Sequence, residues 1–248
     1  MTPSSSSTSR AEPAEAHTCQ LLLSVGLLVS TLLIFELTPL DIGFQDLFFD
    51  FESGRWWVDA SAPVPKALFY IGPKALLILL GLGMITLFLG PERLRRALRV
   101  DGQRRAIGVV ILVLAIGPAL ISGLKAATNV FCPAEMTRYG GDIPYTRVFN
   151  RTAEVGKLER RGRCFPAGHA SGGFALLSLA GLGGSRRGKR LGIMLGLVAG
   201  GWMGGYQILK GAHFLSHTMT TAWLMWILFI VCKLLTTKVS RVMRRPER

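Results

Sequence analysis

The chain has 248 residues, of which 50% are hydrophobic and only 18% charged, and its mean hydropathy is +0.39. A soluble domain carries about 25% charged residues, so this composition excludes an ordinary soluble enzyme. Lys and Arg exceed Asp and Glu to give a net charge of +14; a basic balance points to nucleic acid or anionic lipid, and long uncharged runs decide for lipid, with no nucleic-acid partner expected.

Residues 1–18, opening MTPSSSSTSR, are rich in Ser, Pro and Ala and read as a disordered cytoplasmic tail. They lack a basic n-region, and no small-residue cleavage site follows the first apolar run, so no removable signal peptide is expected. A membrane helix needs roughly 20 apolar residues. Six stretches are candidates: 19–38, 67–90, 106–124, 170–184, 191–209 and 217–236. The fourth, ASGGFALLSLAGLGG, is short and Gly-rich; it is retained because deleting it would put strongly basic loops on opposite sides of the membrane. The expected fold is therefore all-α, a bundle of six transmembrane helices over 19–236 with an extracytoplasmic interfacial element and loop. A basic cytoplasmic tail, 237–248, follows.

The connections sort by charge. Six arginines lie in PERLRRALRVDGQRR, four basic residues in SRRGKR, six from Lys233 to Arg248, and Arg10 in the tail, placing 17 Lys and Arg on one side against 10 in loops 39–66 and 125–168. Positive residues accumulate in the cytoplasm. Both termini are expected there, in a bacterial cytoplasmic membrane. Loops 39–66 and 125–168 and the turn 210–216 then face the periplasm. Within the first loop, Phe44, Phe48, Phe49, Phe51, Trp56 and Trp57 alternate with acids. They read as an aromatic belt on the outer leaflet, with gating of substrate as the other reading.

Three of the four histidines, His169, His213 and His217, fall at that outer boundary. Ionisable groups at membrane depth are expensive and are functional candidates. PAGHASGG sets Pro166 and Gly168 before a small-residue helix, whose first N–H groups suit an anion. His169 there can protonate a leaving oxygen. The bland reading, small residues for close helix packing, explains the glycines and not the histidine. His213 and His217, four apart, share a helical face; one can be a nucleophile and the other can orient it. The rival reading is zinc, with His169 as third ligand. The absence of HExxH and the surrounding cations speak against it, so neither metal nor cofactor is expected. Lys125 ends the third span on the same side. A lysine so placed often snorkels, but with these neighbours it reads as part of a phosphate pocket opening sideways to lipid. Lys74 is also intramembrane.

These blocks, in this order and on these span ends, resemble the type 2 phosphatidic acid phosphatase family over roughly residues 65–235. The family pattern is Lys and, seven positions on, Arg-Pro; then Pro-Ser-Gly-His; then Ser-Arg, five residues, His, three residues, Asp. Lys125 fits the first Lys, with Cys132-Pro133 at the Arg-Pro position. Pro166-Ala167-Gly168-His169 fits the second block, with Ala for Ser. His213 fits the nucleophile, with Gln207 at the Arg position and His217 at the Asp position. The resemblance implies a phosphohistidine on His213, with His169 protonating the leaving lipid oxygen and then activating water. Lys125 and backbone N–H groups around Ala167 and Gly168 would hold the phosphoryl oxygens, without metal. Lys210, Arg163 and Arg138 are candidates to replace the missing arginines.

Cys132 and Cys164 fall in the outer loop, each beside a motif, whereas Cys19 and Cys232 fall at cytoplasmic span ends. Disulfides persist outside the cytoplasm, so a Cys132–Cys164 bridge is expected. The function expected is a lipid phosphatase acting on a membrane lipid phosphate, with undecaprenyl diphosphate or lipid A favoured and phosphatidate or phosphatidylglycerol phosphate possible. A lipid phosphotransferase with the same intermediate and a non-catalytic lipid-binding relative are the alternatives. A transporter is disfavoured by the lack of paired broken helices.

Overall fold

The computed structural model describes residues 14–149 and 160–243; the expectations for the tails before residue 14 and after residue 243 lie outside the described residues. Helix α1 spans Ala14–Leu37 and α2 spans Leu40–Asp46. A two-residue hairpin follows, β1 (Phe49–Asp50) pairing antiparallel with β2 (Arg55–Trp56). Helix α3 (Pro63–Lys66) runs through a π turn (Ala67–Ile71) into α4 (Gly72–Leu89). After α5 (Glu92–Ala97) comes α6 (Arg104–Thr128). Helix α7 (Gly168–Ala175) continues as a 3-10 segment, Leu176–Leu182. Helices α8 (Arg186–Leu209) and α9 (Leu215–Met243) complete the chain.

Among the described residues, five stretches are long and apolar enough to cross a membrane: Ala16–Leu37, Pro63–Leu89, Arg104–Glu135, Arg186–Leu209 and Leu215–Lys238. The expected fourth helix, 170–184, differs in kind. The segment begins as eight α-helical residues, Gly168–Ala175, and the next seven, Leu176–Leu182, are 3-10. At rises of about 1.5 and 2.0 Å per residue the two pieces together cover about 26 Å, more than a regular α-helix of that length would. The narrower, more extended 3-10 winding lengthens a segment that is otherwise short for the roughly 30 Å hydrocarbon core.

This broken segment lies at the centre of the bundle, and glycines let it sit there. Gly192, Gly196, Gly200 and Gly204 form one buried stripe on α8, each four residues from the next. A Cβ on Gly192 would lie 2.4 Å from the Ala180 backbone and one on Gly173 2.6 Å from the Ala199 backbone, so α8 meets α7 and the 3-10 segment backbone to backbone. Such small-residue seams replace the hydrophobic drive that lipid removes. Val109, Val113 and Ile121 of α6, Phe174 and Leu177, and Met225 and Phe229 of α9 fill the core around this seam. Helix α1 lies outside, tied to α9 by Trp223 Nε1 donating to Thr31 Oγ1 at 3.1 Å.

The segments 38–62, 129–149, 160–167 and 210–214 gather at one end of the bundle. Gln45 Nε2 donates to the Ile208 carbonyl at 2.9 Å, Val58 N to Leu209 at 3.3 Å, and Ala134 N to Gly211 at 2.9 Å. The aromatic segment is divided between two environments. Phe51 and Trp57 are exposed, as a membrane belt requires, whereas Phe49 and Trp56 turn inward onto Met136, Tyr139 and Phe214. At Gly211, φ is +72° and a Cβ would overlap the Trp56 indole. The hairpin is therefore docked on the turn between α8 and α9.

Candidate active site

Lys125 stands in the last turn of α6. A Cβ on Gly168 would lie 3.3 Å from Lys125 Nζ, so the ammonium rests against the start of α7, and a side chain at 168 would displace it. Ala167 is the N-cap and offers no side-chain cap, which leaves the first N–H groups of α7 without intrahelical partners. His169 follows. Its ring lies 4.7 Å from the Tyr70 ring and 6.4 Å from the His213 ring, centroid to centroid. Among the described residues its Nδ1 has no hydrogen-bond partner, and the charges acting on it are the ammoniums of Lys125, Lys210 and Lys74.

His213 is buried in the α8–α9 turn, whose form is set by Ala212 N and His213 N, both donating to the Gln207 carbonyl. Its Nδ1 faces Cys164 Sγ at 3.3 Å. Burial above all, then His217, Lys125 and His169, hold its pKa well below the ordinary value, so the imidazole is neutral. The position facing Nδ1, where a nucleophilic histidine needs its orienting partner, is thus taken by sulfur. His217 packs edge-on to His213 at 5.7 Å and against Phe165 and Phe214, and its Nδ1 is buried without a partner. The His217 carbonyl accepts from Ala167 N at 3.2 Å, which joins the two histidine-bearing helices.

Cys132 and Cys164 form a disulfide, with Cα atoms 5.1 Å apart. It joins strands of loop already held by Cys164 N donating to Val130 at 2.8 Å and Gly162 N to Asn129 Oδ1 at 2.7 Å. Both segments are thereby fixed behind His213.

The proposed cations divide. Arg163 lies close enough to Lys125 for their charges to repel. Lys210 sits over the Tyr206 ring, 4.8 Å from its centroid, and burial together with Lys66 holds its pKa below the usual lysine range. Arg138 is engaged elsewhere. Its guanidinium donates to both carboxylate oxygens of Asp46, at 2.8 and 2.6 Å, and lies over Phe51. That bidentate pair commits its Nε–Nη2 edge to Asp46. Gln207, at the position where the family pattern has Arg, is buried with its Nε2 unpartnered.

Lys74, noted in the sequence as intramembrane, faces the pocket, and Asp41 is the group that the sequence did not announce. Lys74 lines the mouth of a cavity of about 590 Å³ between α4, α6 and α7, with Lys125, His169 and Ser171 beside it and Leu82, Ile85 and Leu114 below. Asp41 is buried and accepts from Ser216 N at 2.9 Å and from Ser216 Oγ, and so caps the start of α9 one residue before His217. Burial raises its pKa to about 6. The only local signal for Asp41 was a lone acid between two apolar runs.

The family model described as the PAP2 superfamily matches residues 106–241, more than half of the chain and all three histidines. No curated protein and no solved structure matches the chain significantly.

Proposed function

The chain belongs to the PAP2 superfamily, a family of phosphatases, and we propose that it is a membrane lipid phosphatase that works through a phosphohistidine on His213, at the extracytoplasmic face. One observation carries the reading: His169 lines an apolar cavity together with Lys74 and Lys125, with the buried His213 ring 6.4 Å away.

Phosphoryl transfer needs positioning and stabilisation of the equatorial oxygens more than covalent help. Lys125, Lys74 and Lys210 supply positive charge, and the first N–H groups of α7, at Gly168 and His169, supply fixed donors. With Nδ1 held against sulfur, Nε2 of His213 is the atom that attacks phosphorus. His169 gives a proton to the leaving oxygen, then takes one from the water that cleaves the phosphohistidine. The neutral state of buried His213 favours attack.

The cavity supports a lipid substrate. From Lys74 to Ile85 it follows α4 for about 16 Å, half of the roughly 30 Å hydrocarbon core. Its volume lies in the range that holds one modest ligand. This favours a single-chain polyprenyl diphosphate over a many-chained lipid A phosphate; phosphatidate and phosphatidylglycerol phosphate fit the same chemistry.

The test is phosphate release from a panel of lipid phosphates by oxidised protein in detergent with EDTA. Release by wild type and its loss in His213→Ala is the expected result. Release that persists in His213→Ala overturns the nucleophile. No release from any lipid leaves a lipid-binding relative, the reading that Cys132, Ala167, Gln207 and His217 would favour.

A further inference from the structure

We propose that opening the Cys132–Cys164 disulfide creates a metal site in which Cys164, His213 and His217 hold a zinc-class divalent ion and take His213 out of use. The metal site stands on geometry alone; the silencing rests on His213 being the nucleophile.

Cys164, His213 and His217 are all buried and each offers one ligand atom, these atoms lying within 4.8 Å of one another. Around one tetrahedral zinc, with bonds of about 2.3 Å to sulfur and 2.0–2.1 Å to nitrogen, ligand atoms sit about 3.4–3.6 Å apart. The Cys164 Sγ to His213 Nδ1 distance of 3.3 Å is already near that. His217 has a buried ring nitrogen, Nδ1, with no partner among the described residues. A thiolate with two imidazoles is a zinc donor set, leaving one position open.

Charge makes the site conditional. While Cys164 is in the disulfide it has no thiolate, and only neutral donors face a cation repelled by Lys125. Freed thiolate supplies the missing negative charge, and only then does the set become favourable. The chemistry balances. A dithiol reductant delivers two electrons and two protons, the S–S bond breaks, Cys132 and Cys164 become thiols, and the reductant becomes a disulfide. The ion then displaces one proton from Cys164, and the imidazoles give lone pairs without losing protons. With Nδ1 of His213 on the ion, its proton sits on Nε2, which can no longer attack.

The experiment adds Zn²⁺ or Co²⁺ to full-length protein in detergent, oxidised and reduced, and counts metal per chain after desalting. Cobalt reports thiolate ligation by its sulfur charge-transfer band. Cys132→Ala serves as a second route, because it frees Cys164 without reductant. The expected result is one ion per chain with the thiolate band in reduced wild type and in Cys132→Ala, and none in oxidised wild type. Affinity falls at least tenfold in Cys164→Ala and in His217→Ala. Phosphate release by reduced protein drops at least tenfold with Zn²⁺ and returns with EDTA. Binding that is equal in oxidised protein, or indifferent to Cys164→Ala, overturns the site. So does failure of both reduced wild type and Cys132→Ala to bind, whether folded or not. Binding without loss of phosphate release leaves the site and removes the silencing, and absence of phosphate release in every state counts against the nucleophile and not the site.

Discussion

Helices α4 and α8 both qualify as membrane spans, yet they sit in opposite surroundings. None of the residues of α4 is buried, although Leu, Ile and Gly run through it almost without interruption. Helix α8 starts on four basic residues and is built on glycine, and it buries Gly192, Gly196, Gly200, Gly204, Tyr206 and Gln207. In water the more apolar helix would be the inner one. Between lipid and protein the order reverses, because lipid accepts Leu as readily as a core does, while close packing needs small residues and polar groups need protein partners. Apolarity therefore marks the wall of this molecule, and glycine with buried polar residues marks its working centre.

The largest effect expected from that division is in catalysis. Lys125 belongs to the centre, pressed on Gly168 beside His169; Lys74 reaches the same mouth from the wall. Lys125→Ala removes a preorganised charge at the developing oxyanion and is expected to lower kcat/KM by about 10²–10³. Lys74→Ala removes a charge from a lipid-facing helix with freedom to adjust, and a loss nearer tenfold is expected, in line with about 1.5 kcal/mol for a charged hydrogen bond. Initial rates of phosphate release on one lipid decide it. Equal losses would mean that α4 is as much a part of the centre as α6.

The same division explains what could be read without coordinates. Apolar length is a one-dimensional property, and the long spans were legible from it to within a few residues. The helical character of 168–182 was harder, because Gly-rich sequence does not choose between α and 3-10; packing against Gly192 and Gly196 does. His169, His213 and His217 stood out because ionisable groups at one depth are conspicuous in an apolar chain. Asp41, Gln45 and Trp56 did not. Gln45 meets Ile208 from 163 positions away, and no local pattern announces a contact of that range. The aromatic segment had the composition of a belt, and two of its six rings, Phe51 and Trp57, are exposed as one requires; Trp56 closes on Gly211 only because the turn there has no side chain.

Asp41 allows the docked segment to be tested through stability. Burial raises its pKa from 3.8 to about 6, so the folded state holds the proton more tightly than the unfolded state. The contribution is full below about pH 4 and is lost as pH rises through about 6, worth about 3 kcal/mol at 1.36 kcal/mol per unit. Wild type is therefore expected to lose stability between pH 4 and 7 relative to Asp41→Asn, which cannot ionise. Detergent unfolding midpoints at four or five pH values measure the difference in slope, independent of any constant offset from the amide against Ser216. Parallel pH dependences would show that Asp41 stays ionised and that the Ser216 hydrogen bonds outweigh its burial.

The smallest expected effects fall on two glycines and have opposite signs. At Gly200 an added methyl meets the Phe174 ring at 2.2 Å, and Phe174 is itself buried. The ring has nowhere to go, so Gly200→Ala is expected to cost about 1–3 kcal/mol through overpacking. At Gly81, in the middle of α4, a methyl meets nothing within 4 Å. Gly81→Ala only restricts the unfolded backbone, and a gain of about 0.5–1 kcal/mol is expected. The pair isolates the packing argument, since both changes are Gly to Ala within long helices. Thermal unfolding in one detergent compares them. Destabilisation at Gly81 as large as at Gly200 would mean that the α4 surface meets protein in the membrane, and the wall would then be an interface.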